Sequence, residues 1–485
     1  MFRGTAASIA CGDTTTGNAT TALATRMFTL EDQLDAIQPT ELVGRVVRTV
    51  GLATSVEGFP APLGAIASIE RAGHEPLLAE VVGFQEQRTV LYPMGDLAGV
   101  RRGDRVRLVR TMPWIRVGPQ LLGRVINAHG QCIDGRPQPV MPDRATIYRA
   151  APDAIQRPPI TESFSTGLRA IDGVLTCGRG QRMGIFSGPG VGKSVTLGMM
   201  ARYTDADVKV IALIGERGRE VNEFLQRDLG PEGLAKSVVI VATSDEPAVL
   251  RVRAAAVATS VAEYFRDQHK DVLLLMDSLT RLALAQREIG LAAGEPPTTR
   301  GYPPSVFSIL PKLLERAGRV AGGSITAFYS VLVEADDASE PISDAVRGLL
   351  DGHTWLSRKL AERGHYPAID VLESISRLMS SVTTPEHQAA AKILRQTMGA
   401  YRDHEDLILI GAYRRGSNEL VDQAIDMQET IELYLQQAVD EASSVDVARD
   451  QLFQLVRIAE QHRANRAAQV AASPPQMAPP PQQRA

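Results

Sequence analysis

The segment Ser187-Gly-Pro-Gly-Val-Gly-Lys193-Ser194 brings closely spaced glycines together with a lysine and a hydroxyl. Glycines let a backbone curl so that its N–H groups meet phosphate oxygens at a helix N-terminus. A lysine there reaches the β- and γ-phosphates, and a hydroxyl binds Mg²⁺. Gly188, Pro189, Gly190, Val191, Gly192, Lys193, Ser194 and Val195 are therefore the nucleotide-binding candidates, with Lys193 also catalytic and Ser194 on the metal. The strict pattern has glycine where Ser187 stands, but the glycines that cradle phosphate are kept. The competing reading is a Gly-rich turn before a structural helix. A strand-like run at 183–186 and a helix-length segment after the loop favour the phosphate reading.

Asp277 ends the apolar run 272–276. In a parallel sheet the C-terminal strand ends line the ligand crevice, so Asp277 would share an edge with the phosphate loop and could hold the Mg²⁺ shell. Taken alone, it also reads as a cap on the following helix. Glu216, in Gly215-Glu-Arg-Gly-Arg-Glu220, follows the run 208–214. Phosphoryl transfer to water needs a group that orients and polarises the attacking water, and a carboxylate at this edge is placed to do so. A helix-start glutamate favoured by the helix dipole is the alternative, and the residues alone leave both open.

These groups need a scaffold that delivers several strand ends to one edge. Strand-like runs at 183–186, 208–214, 238–242, 272–276 and 325–333 alternate with helix-length stretches, which argues for an α/β fold with a parallel sheet covered by helices. Ahead of it, short Val- and Leu-rich runs at 43–50, 77–82, 89–92 and 104–109 are separated by Gly/Pro turns, the pattern of a small all-β barrel or sandwich. Beyond Ser381 helical spacing takes over, with Leu420, Ala424, Ile431, Leu435 and Ala438 expected on one face. The first 26 residues, rich in Thr, Ala and Gly, and the Pro-rich stretch from Ser473 are expected to be disordered. Met27 is a candidate initiator.

With 485 residues, 44% of them apolar and 22% charged, the composition is that of an ordinary globular chain. Acids outnumber bases 56 to 52, so the basic excess that phosphate-backbone binding requires is missing, and no nucleic-acid partner is expected. Cys11, Cys132 and Cys177 are isolated, without disulfide or zinc-ligand spacing, and fit a reducing cytosol. No apolar run approaches the ~18 residues that span a bilayer, so any membrane contact is expected to be peripheral.

The motifs SGPGVGKS, LIGERGRE, LLLMDSLTR, GEPPTTRGYPPSVF, GSITAFYSVLVE and GHYPAIDVLESISR occur in that order. Together they resemble the family of type III export ATPases, flagellar and virulence-associated, which is itself similar to the catalytic β subunit of rotary ATP synthases. The likeness runs from about Leu42 to Leu455 and implies a RecA-like P-loop core with an N-terminal β-barrel and a C-terminal helical domain. The implied organisation is a disordered extension over 1–26, an N-terminal helix and β-barrel domain over 27–112, a RecA-like ATPase domain over 113–380, a C-terminal helical domain over 381–470 and a disordered Pro-rich tail over 471–485. By the same likeness the chain is a Mg²⁺-dependent ATPase in which Glu216 is the catalytic carboxylate, Arg217 lies by the γ-phosphate and Asp277 ends the Walker B strand. Arg377, in Ser374-Ile-Ser-Arg377, matches an arginine finger that reaches into a neighbouring subunit. On the residues alone it could be a surface ion pair. Tyr366 matches an aromatic that packs on adenine; on the residues alone it could be core.

The family resemblance further implies a homohexamer with nucleotide at its interfaces. The implied partners are a stator-like flagellar regulator held through the N-terminus, a coiled-coil stalk protein, the membrane export gate, and export substrates with their chaperones. It implies a cytoplasmic location with peripheral contact at the inner-membrane export apparatus. The stretches Thr176-Cys-Gly-Arg-Gly-Gln181 and Leu407-Ile-Leu-Ile-Gly-Ala-Tyr413 favour the flagellar branch over the virulence branch. A rotary ATP synthase catalytic subunit shares the core, but its acidic DELSEED-type loop is not found here. A transcription-termination helicase would carry a set of stacking aromatics in its barrel, also not found. A catalytically dead ring subunit is disfavoured by the joint presence of Lys193, Glu216 and Asp277. Met27, Leu30, Leu34 and Ile37 recur at the spacing of one helical face, expected to dock the regulator by helix-in-groove packing or to fold back on the barrel.

Overall fold

The computed structural model describes residues 41–333 and 340–472. The segments 1–26 and 27–37 and the stretch from Ser473, with the expectations attached to them, lie outside the described residues. The chain divides into two compact units between Pro113 and Trp114.

In the first unit six strands, β1 (Val43–Val50), β2 (Ala53–Glu57), β3 (Ile66–Ile69), β4 (Leu77–Gln85), β5 (Arg88–Pro93) and β6 (Arg105–Arg110), close into an antiparallel barrel in the order β1-β2-β5-β4-β3-β6. Closure decides between the barrel and the sandwich that the sequence left open. The inward-facing residues Val46, Val56, Ile69, Leu77, Ala79, Val81, Leu91 and Val106 fill the interior, as the two-residue strand period requires.

The second unit is built on a nine-stranded sheet: β7 (Arg124–Asn127), β8 (Arg182–Ser187), β9 (Val208–Ile214), β10 (Ser237–Ala242), β11 (Asp271–Asp277), β12 (Gly318–Val320), β13 (Gly323–Leu332), β14 (Gly352–Leu356) and β15 (Ile369–Ser376). The path runs β15-β14-β8-β13-β11-β9-β10-β7, with β12 paired off it to β13. Strands β7 to β11, β13 and β14 run parallel, whereas β15 at one edge and β12 beside β13 are antiparallel to their neighbours, so the expected parallel sheet is mixed. Every residue of β9 and β10 is buried. Such strands read as unbroken Val/Ile/Leu runs because both faces are covered.

Helix α1 (Arg169–Val174) precedes β8. Helices α2 (Lys193–Tyr203), α3 (Gly218–Glu223), α4 (Ala248–Arg266), α5 (Leu279–Ala292), α6 (Pro304–Leu314) and α7 (Pro341–Leu349) fall between strands, and α8 (Pro385–Leu409), α9 (Glu419–Leu435) and α10 (Val445–Ala472) follow the last one. The C-terminal helices share one hydrophobic core with the sheet: Leu394, Met427, Ile431, Leu435 and Leu452 pack in the same cluster as Ile171, Met183 and Leu197. The junction is also polar. The buried Arg169 donates to Gln451 Oε1 at 2.9 Å, to the Gln436 carbonyl at 3.0 Å and to Glu441 Oε1 at 2.6 Å. His387 Nε2 bonds the Gly173 carbonyl at 2.7 Å, and Tyr434 donates to the Ala448 carbonyl at 3.0 Å.

The core face of α9 is Val421, Ala424, Met427, Ile431, Tyr434 and Leu435. This corrects the expected stripe at two positions, since Leu420 is exposed and Ala438 lies beyond the helix end. The helix is phased by its cap: Asn418 Oδ1 accepts from the N–H groups of Leu420 and Val421, and Val421 is the residue that turns inward.

Candidate active site

Strands β8, β13, β11 and β9 lie side by side, and three of them end at the candidate residues. Register sets their heights: Ser187 opposes Leu332, and Leu213 opposes Asp277. The chain leaves β8 through a loop in which Gly190 and Gly192 have φ of 78° and 89°, left-handed conformations natural to glycine. Gly192 is the N-cap residue of α2, so Lys193 and Ser194 begin its first turn, whose N–H groups have no intrahelical partners. Val191 is buried, Val195 packs against the core, and Pro189 and Ser194 are exposed at the mouth. Ser187 is wholly buried, with its hydroxyl unpartnered.

Lys193, Glu216 and Asp277 converge, with side chains 12%, 11% and 5% exposed. Lys193 Nζ donates to Asp277 Oδ1 and stands 3.9 Å from Glu216 Oε1. Asp277 Oδ1 also accepts from Ser330 Oγ on the intervening β13 at 2.6 Å. The Glu216 corner is pinned to the end of β10, where the Gly215 N–H donates to the Ala242 carbonyl at 2.6 Å and the Ser244 N–H to the Glu216 carbonyl at 3.0 Å. Burial raises the Glu216 carboxyl to about 7, helped by the negative Asp277 and by a hydrogen bond shared with Glu220; Lys193 and Arg281 pull the other way. Its Oε1 is buried without a hydrogen-bond partner.

Two contributors escaped the sequence reading. Arg281, in the first turn of α5, reaches Glu216 Oε2 at 3.1 Å and bonds the Gly215 carbonyl. The Ser278 hydroxyl caps that turn by accepting the Arg281 N–H. The signal was Arg281 lying four residues beyond Asp277, one helical turn past the same strand end. Ser330 gave no signal, because its meeting with Asp277 depends on strand order.

The other candidates fall differently. Tyr366, 46% exposed, overlies the loop: its ring carbons lie 3.5 Å from where a Cβ on Gly192 would stand. Its carbonyl is held by the Gln437 N–H at 3.0 Å. Arg217 sits at the Glu216 corner, but its guanidinium is exposed and paired with Glu220 at 3.6 Å. Arg377 is not brought to the cluster. Its N–H donates to the Asp351 carbonyl, and Asp351 lies beside Arg182, at the opposite end of β8 from the loop.

The residues suit a nucleotide with Mg²⁺. Glycine-shaped backbone, a lysine and a helix N-terminus suit phosphates, and the Ser194 hydroxyl and Asp277 carboxylate are hard oxygen donors. Two protein oxygens are few for a metal alone but match Mg²⁺ that arrives with phosphate. Among the described residues no group of three or more His, Cys, Asp and Glu could hold a metal by itself.

Comparison with known proteins identifies the family of the chain. Residues 167–376 match the nucleotide-binding domain of the ATP synthase alpha/beta family, 46–109 its beta-barrel domain and 383–454 the T3SS EscN ATPase C-terminal domain. The flagellum-specific ATP synthase of Bacillus subtilis is 49% identical over 85% of this chain and 95% of that protein. The type 3 secretion system ATPase of Xanthomonas euvesicatoria is 49% identical over 86% and 95%. The assembled ATPase EscN of enteropathogenic E. coli superposes with a TM-score of 0.80 at 45% identity, covering 85% of this chain and 100% of that one. The same ATPase with its central stalk EscO gives the same score. The chain is therefore a member of the ATP synthase alpha/beta family, among the flagellar and type 3 secretion system ATPases.

Proposed function

We propose that this ATPase hydrolyses Mg²⁺-ATP at interfaces between copies of itself and so energises flagellar protein export. The observation that carries the catalytic reading is the buried convergence of Lys193, Glu216 and Asp277 at one strand edge, with Glu216 Oε1 left without a hydrogen-bond partner. Lys193 and the first-turn N–H groups of α2 hold the phosphates. Ser194 and Asp277 hold Mg²⁺, which when bound neutralises phosphate charge. Glu216, with its carboxyl raised towards neutrality, accepts the proton of the attacking water, and Arg281 fixes the carboxylate's orientation. The exposed Arg217 can swing from Glu220 to a γ-phosphate, and Tyr366 offers a face to the base.

Arg377 cannot serve its own site. The six residues of β8 separate the two ends by roughly 17 Å at strand rise. Its exposed side chain pairs with no acid among the described residues, so it is available to complete a neighbour's site in a ring. A homohexamer is the assembly proposed, with a coiled-coil stalk protein, a stator-like regulator, the export gate and chaperoned export substrates as partners. No described helix is long and apolar enough to cross a membrane, which suits peripheral contact with the export apparatus from the cytoplasm.

Subunit mixing tests the scheme. Arg377→Ala rings and Lys193→Ala rings are each expected to lose at least about 10³-fold in turnover. Mixed rings should regain activity, because intact sites then face intact arginines. Absence of recovery, in rings verified as mixed, rejects the trans assignment.

A further inference from the structure

Arg377 follows β15, the antiparallel edge strand, and its surroundings differ from those of an ordinary strand end. Gln181 is wholly buried. Its Oε1 accepts from the Gly178 N–H at 2.7 Å. Its Nε2 donates to the Asp351 carbonyl at 3.1 Å and to Ser376 Oγ at 3.2 Å. Ser376 Oγ in turn donates to the Thr176 carbonyl at 2.8 Å, and the Arg377 N–H donates to the Asp351 carbonyl at 3.0 Å. One buried amide therefore touches both segments between which Arg377 emerges.

Asp351 is itself fixed. Its carboxylate accepts from the Arg182 N–H at 3.1 Å, Nε at 3.2 Å and Nη2 at 3.3 Å. The next residue is Gly352, paired across the sheet with Ser376. A Cβ there would collide with the Ile375 carbonyl oxygen and stand 2.8 Å from Met183 Sδ, so only glycine lets β15 approach this closely. The Gln181 amide oxygen closes a local turn and its nitrogen also lies 3.3 Å from Met183 Sδ, but the two oxygens that the nitrogen reaches flank one chain exit. This is more than core packing requires, since an apolar residue of similar volume would fill the space without needing partners.

We propose that Gln181 and Asp351 are positioning residues for the arginine that completes the neighbouring site: they form a socket that fixes the backbone from which Arg377 projects. This rests on the trans reading of Arg377. An arginine side chain has several free torsions, so a guanidinium at the tip is useful in a transition state only if its base does not move. Displacement of about 1 Å can cost up to about a hundredfold in rate.

The test uses assembled rings of the full chain. Gln181→Leu rings should lose about tenfold in kcat with KM for ATP little changed, because the phosphate loop of each subunit is intact while the arginine it lends is misplaced. Mixing with Lys193→Ala subunits, which carry an intact socket, should restore turnover at the Gln181→Leu sites. A subunit that is merely destabilised would not be repaired by its neighbour's arginine. Should Gln181→Leu fail to fold, Asp351→Asn, which weakens only the grip of Arg182, provides the same reading. If Arg377→Ala with Lys193→Ala recovers on mixing but neither socket variant does, or if kcat in a folded socket variant is unchanged, the socket is refuted. If Arg377→Ala itself does not recover, the trans reading fails and the socket falls with it.

Discussion

Glu216→Gln keeps the shape of the side chain and removes its charge, so it isolates what the carboxylate contributes. Burial and the adjacent Asp277 raise Glu216 from an ordinary 4.5 to about 7, against Lys193 at 3.9 Å and Arg281 at 3.1 Å. A base must be ionised to accept a proton. In the wild type kcat/KM should therefore climb about tenfold per pH unit below neutrality and level off above about 7.5. In Glu216→Gln that limb should vanish and turnover should fall by about 10²- to 10⁴-fold, with nucleotide binding retained. Stability moves the other way. Below the ordinary glutamate range both folded and unfolded chains hold the proton, so the variant gains nothing. Above about 7 the wild type carries an ionised buried carboxylate, and relief of that burden is worth about 2 kcal/mol after allowing for water at the mouth of the site. The assays are steady-state hydrolysis from about pH 5.5 to about 9 and denaturant unfolding at about pH 4 and about pH 9. A wild type without the acidic limb, or a variant that retains it, refutes the assignment of Glu216 as the base.

Lys193→Ala should abolish hydrolysis and, because it leaves the buried Asp277 carboxylate without its cation, lower the unfolding free energy by about 2–3 kcal/mol without unfolding the chain; near-normal turnover would overturn the site. Gly173→Ala acts elsewhere: its Cβ would fall on the Tyr434 hydroxyl and break the bond to the Ala448 carbonyl. A loss of about 2–3 kcal/mol by chemical denaturation is expected, and an unchanged midpoint would show that the helical junction yields more readily than its packing suggests.

The phosphate loop and the buried strands were legible because local chemistry and tertiary role coincide there. An unbroken apolar run such as Val208–Ile214 has one place to go, and a Gly-rich loop before a helix has a shape of its own. Strands that answer to their neighbours rather than to their own pattern were missed. Ala53–Glu57 is largely polar, Ile66–Ile69 is only four residues long, and Gly352–Leu356 and Ile369–Ser376 carry the mixed character of a sheet edge. Within the site, Lys193 opens a readable helix, Glu216 follows a readable strand and Asp277 ends one. Ser330 and the Gln181 socket became visible only once strand order put β13 beside β11 and β14 beside β8, because a side-chain meeting across some 50 or 170 residues leaves no local trace.

The strand Arg182–Ser187 ends in the loop proposed to cradle phosphate and begins at the residue that grips Asp351. A β-strand is stiff along its axis and soft across it, so a longitudinal shift of the loop on nucleotide turnover arrives at the far end as a nearly rigid translation. In a closed ring each copy would then rely on the neighbour on one side and act on the neighbour on the other. Such a circle has a direction even though its members are identical, and the state of one site can bias the next around the ring in one rotational sense.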